Sequence, residues 1–178
     1  MRKIVLYIAS SIDGYIARKD GSTDWLTNYP ILENFDYGYS RFYDSINTII
    51  MGHNSYKSVL DMSDEWFYPE KISYVITNYP ESDKGNIRFI SGNIVDIITG
   101  LKQDKGKDIW LFGGSQIIAL LLNCNLIDEM IVTYIPVIIG NGIPLFSDTL
   151  KESQWKLIEN NTFENDVYQI IYRKHTGY

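Results

Sequence analysis

The sequence predicts an α/β fold: a mostly parallel central sheet with helices on both faces and an antiparallel hairpin at the C-terminus. Three observations lead there. Short runs rich in Ile, Val and Leu alternate with stretches of helical periodicity through most of the chain, as in parallel strands joined by crossover helices. Two alternating runs near the end, separated by Glu164 and Asn165, read as antiparallel partners. Between these regions the apolar run 108–112 stops at Gly113 and Gly114, and a helical pattern begins immediately after.

Each element follows from its local pattern. Residues 3–10 are rich in Ile, Val, Leu and Tyr and form the first strand; residues 11–17 turn the chain. Residues 18–30, with Gly21, Asn28 and Pro30, are irregular and long for a connection, which favours a functional cover. Ile31, Phe35, Tyr39, Phe42 and Tyr43 recur at helical spacing and predict a helix over 31–44. A strand at 47–51 ends at Gly52, and a short helix follows over 54–60. Strands at 72–77 and 87–90, a helix at 94–102, the run before Gly113, a helix to residue 123 and a strand at 129–135 come next. The hairpin pairs 155–163 with 166–173.

Composition bounds the function. The 178 residues suit one domain with a core large enough to enclose a site. A net charge of −6 works against nucleic acid and anionic membranes, and no apolar run reaches the length of a membrane span. The basic concentration over 102–107 is interrupted by Asp104 and reads as a solvated helix end. Cys124 is the one cysteine, so no internal disulfide forms and a reducing cytoplasm is the expected home. The N-terminus runs straight into a strand and lacks a signal cleavage site. A small-molecule substrate is expected, with no nucleic acid, no membrane and no metal.

The glycine pair is the most informative feature. Two residues without side chains let a ligand approach the backbone, and the N–H groups of the following helix, capped by Ser115, face whatever lies there. An anionic cofactor is expected; a plain tight turn is the alternative. The pattern is neither the three-glycine dinucleotide fingerprint nor the Gly-Lys-Ser/Thr phosphate loop.

Four segments together resemble the dihydrofolate reductase-like superfamily, and within it the RibD C-terminal reductase domain of riboflavin biosynthesis. They are Ser11-x-Asp13-Gly14-x-Ile16-Ala17, then Ile50-Met51-Gly52-His53-Asn54-Ser55-Tyr56, then Phe112-Gly113-Gly114, and finally Asp128 to Thr133 leading to Gly140-Asn141-Gly142-x-Pro144-Leu145-Phe146. The resemblance spans nearly the whole chain. It implies NADPH lying across the strand ends, its pyrophosphate held at helix N-termini by Asn54, Ser55, Ser115, Gln116 and Ile117, with Ala9, Gly52, Phe112, Gly113 and Gly114 close by. It also implies a cis peptide between Gly113 and Gly114, and an adenine end beside Thr77 and Asn78. Ile16 and Ala17 would pack on the nicotinamide. His53 stands where relatives carry an arginine for the 2′-phosphate, which leaves NADH open.

The same resemblance marks Asp36 as the pocket carboxylate, walled by Phe35 and Tyr39, and Thr133 as the strand hydroxyl that contacts it. Burial would raise the Asp36 pKa; the alternative is an ordinary acid facing solvent early in a helix. Trp25 either caps the pocket or packs the long loop onto the core. The implied function is an NADPH-dependent reductase of a pterin- or pyrimidine-type ring compound, resembling 5-amino-6-(5-phosphoribosylamino)uracil reductase. Dihydrofolate reductase is a second reading, although no arginine is located to grip a folate tail; Arg41, on the helix, is not placed for it. A catalytically inactive nucleotide-binding module is the third. A homodimer through edge strands and the C-terminal hairpin is also implied.

Overall fold

The computed structural model describes residues 1–30, 36–79, 81–147 and 149–175. In chain order the elements are β1 (Ile4–Ser11), β2 (Tyr15–Ala17), α1 (Asp24–Thr27), α2 (Tyr39–Ser45), β3 (Ile46–Gly52), α3 (His53–Leu60), β4 (Ile72–Ile76), β5 (Ile87–Ile90), α4 (Ile94–Gln103), β6 (Asp108–Gly113), α5 (Ser115–Asn123), β7 (Glu129–Ile135), β8 (Ile143–Pro144), β9 (Trp155–Thr162) and β10 (Tyr168–Lys174). Eight strands form one sheet in the order β5-β4-β3-β6-β1-β7-β10-β9, and β2 pairs with β8 in a separate ribbon.

The pairing from β5 to β7 is parallel throughout, whereas β10 runs antiparallel to both β7 and β9. The parallel strands β3, β6, β1 and β7 are apolar on both faces, which is why they sit in the middle, while the parallel β5 forms an edge. Alternation sends Ile4 and Leu6 to one face, where they pack with Ile98, Ile118 and Leu121 of α4 and α5. Val5 turns to the other, with Phe42 of α2 and Tyr56 of α3. Ile50 is 0% exposed, so trimming it to Ala would cost about 2–5 kcal/mol.

Two expectations are corrected. Among the described residues of the helix expected over 31–44, α2 begins at Tyr39, because Tyr37 (φ 52°) and Gly38 (φ 77°) are left-handed and are not helical. Ile31 and Phe35 lie outside the described residues. Ser115 is not the cap of α5: Gly114 holds that position and Ser115 is the first helical residue, buried. The ribbon of β2 and β8 has strands too short for any periodicity to reveal.

The loop over 18–30 folds back on the sheet. It contains α1, and Trp25 is 5% exposed in a cluster with Ile135 and Val167, so this tryptophan packs the loop onto the core. Tyr29 donates its hydroxyl to Asn165 O, and Asn165 Nδ2 donates to Pro30 O, which pins the loop to the tip of the hairpin.

Candidate active site

Two helix starts lie side by side at one edge of the sheet. Neighbouring parallel strands β3 and β6 each end in a glycine, and Gly52 and Gly114 serve as the N-caps of α3 and α5. The Gly113–Gly114 peptide is cis. A β-carbon on Gly52 would stand 3.4 Å from Ile117 Cγ1 and 3.8 Å from Gly114 N, and one on Gly114 would stand 3.6 Å from Ser55 Oγ. The gap between the helix starts is therefore kept open by the absence of two side chains.

Neither helix start is closed by a side chain. At α4, by contrast, Asn93 accepts a hydrogen bond from Asp96 N, while α3 and α5 have no such cap. The Ile117 N–H is spent on Gly114 O, so the N–H groups ahead of it are the ones left for a ligand at α5; each terminus adds roughly 0.3–1 kcal/mol of favourable field toward an anion. The gap thus presents hydrogen-bond donors of the kind an anion accepts from.

A cavity of about 200 Å³ opens on the same edge, at the ends of β1 and β7. Ala9 of β1 and Thr133 of β7 are register partners in its floor, and Tyr7, Leu26, Tyr29, Asp36, Tyr37 and Tyr39 line the walls. Gln169 of β10 lies opposite Thr133; its Nε2 donates to Thr133 Oγ1 at 2.9 Å and to Tyr37 O at 3.0 Å. Trp110 Nε1, on the adjacent strand β6, donates to Tyr7 O at 3.0 Å. Burial pushes the Tyr7 phenol up to about 12, against the opposing hydrogen bond from Gln169. Tyr7 is thus a neutral hydrogen-bond donor at ordinary pH.

Asp36 lines this cavity but is exposed. The Ser40 hydroxyl, then the N–H groups of Ser40 and Gly38, hold its carboxyl below the usual range. The condition for a raised pKa is not met, because the left-handed turn at Tyr37 and Gly38 leaves the carboxylate at the rim. Thr133 takes its hydrogen bond from Gln169; none joins it to Asp36 among the described residues. The two groups share a cavity without sharing a proton.

The remaining sequence-derived positions divide. Asn54 and Gln116 are exposed in the first turns of α3 and α5, beside Ser55 and Ile117. Phe112 packs at 5.1 Å from the Trp110 ring. Thr77 is buried and accepts a hydrogen bond from Tyr79 N, while Asn78 is exposed. Ile16 packs against the core, and Ala17 is buried where Gly142 presses on its carbonyl, so neither lines the cavity. Asp13 accepts hydrogen bonds from Ile139 N and Gly140 N, tying the first turn to a distant loop.

Residues 68–169 match the RibD C-terminal domain. The chain belongs to that family. YwjB of Bacillus subtilis strain 168, an uncharacterized protein, is 40% identical over 167 residues, which cover 93% of this chain and 95% of YwjB. A crystal structure of a candidate riboflavin biosynthesis protein from Shewanella sp. PV-4 is 30% identical and superposes with a TM-score of 0.87, over 98% of this chain and 99% of the other. Dihydrofolate reductase from Enterococcus faecalis, complexed with NADP(H) and RAB-propyl, shares the fold at 14% identity and a TM-score of 0.70, over 98% and 97% of the two chains. The fold of this RibD C-terminal domain is thus dihydrofolate reductase-like. The matched range contains Gly113, Gly114, Thr133 and Gln169, while Tyr7, Asp36 and Gly52 precede it.

Proposed function

We propose that the chain is a nicotinamide-dependent reductase of a pterin- or pyrimidine-type ring compound, similar to the uracil reductase of riboflavin biosynthesis. The observation that carries this reading is the shared edge: two uncapped helix starts at Gly52 and Gly114 open beside the cavity floored by Ala9 and Thr133. Family membership and the NADP(H) bound by the enterococcal fold relative support it. The family resemblance implies NADPH, with NADH left open by His53.

Gly52, Asn54, Ser55, Gly114, Ser115 and Gln116 would hold the diphosphate through backbone and side-chain donors. When bound, the cofactor supplies the hydride. The tyrosine walls hold a planar ring and exclude water from it. Asp36, ionised at the rim, accepts an N–H of the ring and so orients it rather than donating a proton. Thr133, fixed by Gln169, offers its hydroxyl from the floor, and the neutral Tyr7 phenol, which donates to Tyr37 O at 3.3 Å, holds the wall in place. The chain acts in the cytoplasm as a homodimer.

The test is oxidation of NADPH and NADH with pterin, dihydrofolate and aminopyrimidine substrates, with and without Asp36→Asn. Substrate-dependent oxidation lost in the variant supports the reading. Tight cofactor binding with no turnover on any ring contradicts it.

A further inference from the structure

The strand order decides which way a dinucleotide runs along this edge. Its diphosphate gap lies at β3 and β6, and the ring cavity lies at β1 and β7. Because β1 neighbours β6, the nicotinamide end points toward β1, and the adenosine end extends the opposite way, over β3 and β4. Ligands of open parallel sheets lie outside the carboxyl ends of the strands, where these segments all emerge.

The corner beyond β4 carries an unusual charge arrangement. The Tyr79 ring stands exposed, its centroid 5.3 Å from that of the His53 ring, an open aromatic face beside the first residue of α3. His53 Nδ1 is buried without an aligned hydrogen bond and faces Glu81 Oε1 at 3.2 Å. The other Glu81 oxygen lies 3.5 Å from Lys84 Nζ. One carboxylate thus stands between the two basic side chains of this corner and engages both. An ionised carboxylate accepts hydrogen bonds and donates none, so it matches a ribose hydroxyl and opposes a phosphate at the same place.

We propose that Glu81 selects a ribose with a free 2′-hydroxyl, so that NADH is the preferred reduced dinucleotide and NADPH the poorer one. This rests on the reading of the chain as a nicotinamide-dependent reductase. His53 and Lys84, already engaged by Glu81, do not form a phosphate site until that carboxylate is neutralised. The selection acts on binding and is read without turnover.

The experiment is calorimetric titration of the full chain and of Glu81→Gln with NADH, NADPH, ADP-ribose and 2′-phospho-ADP-ribose. The two fragments lack nicotinamide and isolate the adenosine end. The wild type is expected to bind NADH and ADP-ribose at least about tenfold more tightly than their 2′-phosphates, a gap of about 1.4 kcal/mol. Glu81→Gln is expected to close most of that gap from both sides, strengthening the phosphorylated ligands and weakening NADH, whose 2′-hydroxyl loses its charged acceptor. Equal or tighter NADPH binding by the wild type, or an unchanged ratio in Glu81→Gln, overturns the role of Glu81 and leaves the reductase reading standing. Binding of neither dinucleotide overturns both.

Discussion

Gln169 Nε2 donates to Thr133 Oγ1 at 2.9 Å across the register pair that joins β10 to β7, and the same nitrogen donates to Tyr37 O at 3.0 Å. One buried amide therefore ties the cavity floor to the turn that carries Asp36. Replacing it with Leu leaves the buried Thr133 hydroxyl without its donor, at a cost of about 1–3 kcal/mol, while Tyr37 O keeps the Tyr7 hydroxyl at 3.3 Å. Gln169→Leu is expected to lower unfolding stability by about that amount and to raise KM more than it lowers kcat, read by urea denaturation and steady-state kinetics. Unchanged stability would show that the bond carries nothing.

Asp36 has its carboxyl pKa depressed by Ser40 and Gly38. A depressed folded-state value gives a contribution present above the unfolded pKa and lost only as pH falls through the folded one. The carboxylate thus stays ionised from neutral pH down to the bottom of the ordinary carboxylate range. The pH profile of kcat/KM is expected to show no acid limb from Asp36 between about pH 5 and 7. Asp36→Asn is expected to lower kcat/KM by about a hundredfold across that window. An acid limb near pH 6 that vanishes in the variant would contradict the depressed value.

Burial raises the Tyr7 phenol from 10.0 to about 12. The sign is that of a group holding its proton more tightly when folded: its contribution is complete below pH 10 and is lost as pH rises toward 12. Tyr39, also pushed up to about 12 by burial, acts in the same window. Unfolding midpoints are expected to fall between pH 10 and 12, and Tyr7→Phe is expected to flatten part of that slope. An identical slope in wild type and variant would remove Tyr7 from the titration.

The homodimer is testable at the edge strand. Leu157 and Ile158 of β9 are 49% and 40% exposed, beside β10. Light scattering is expected to give twice the 20.6 kDa chain mass for the wild type and a reduced mass for Leu157→Glu. A wild type at monomer mass would end the dimer reading.

Much of this fold was legible because its strands are apolar runs bounded by glycine or charge. Residues 87–90 were expected as a strand and form β5 with the same ends. The cis bond at Gly113–Gly114 followed from the family resemblance. The start of α2 was hidden because aromatic spacing continued through residues 36–38, where only backbone handedness breaks the helix. Gln169 gave no signal beyond being one polar residue in an alternating strand, since its partners Thr133 and Tyr37 lie far off in sequence. Glu81 was equally silent: a loop acid acquires meaning only when the sheet order brings β4 beside β3.

Calorimetric titration of NADH and NADPH into wild type and Gly52→Ala is the most direct measurement of the diphosphate cradle. Gly52 has φ −78°, and its added methyl would meet Ile117 and Gly114 at ordinary contact distances, so the variant is expected to fold as the wild type does. The expected result is binding by the wild type and at least about tenfold weaker binding by Gly52→Ala at unchanged melting temperature. Equal affinity in the two proteins, or no binding to either, would contradict a dinucleotide held between these two helix starts.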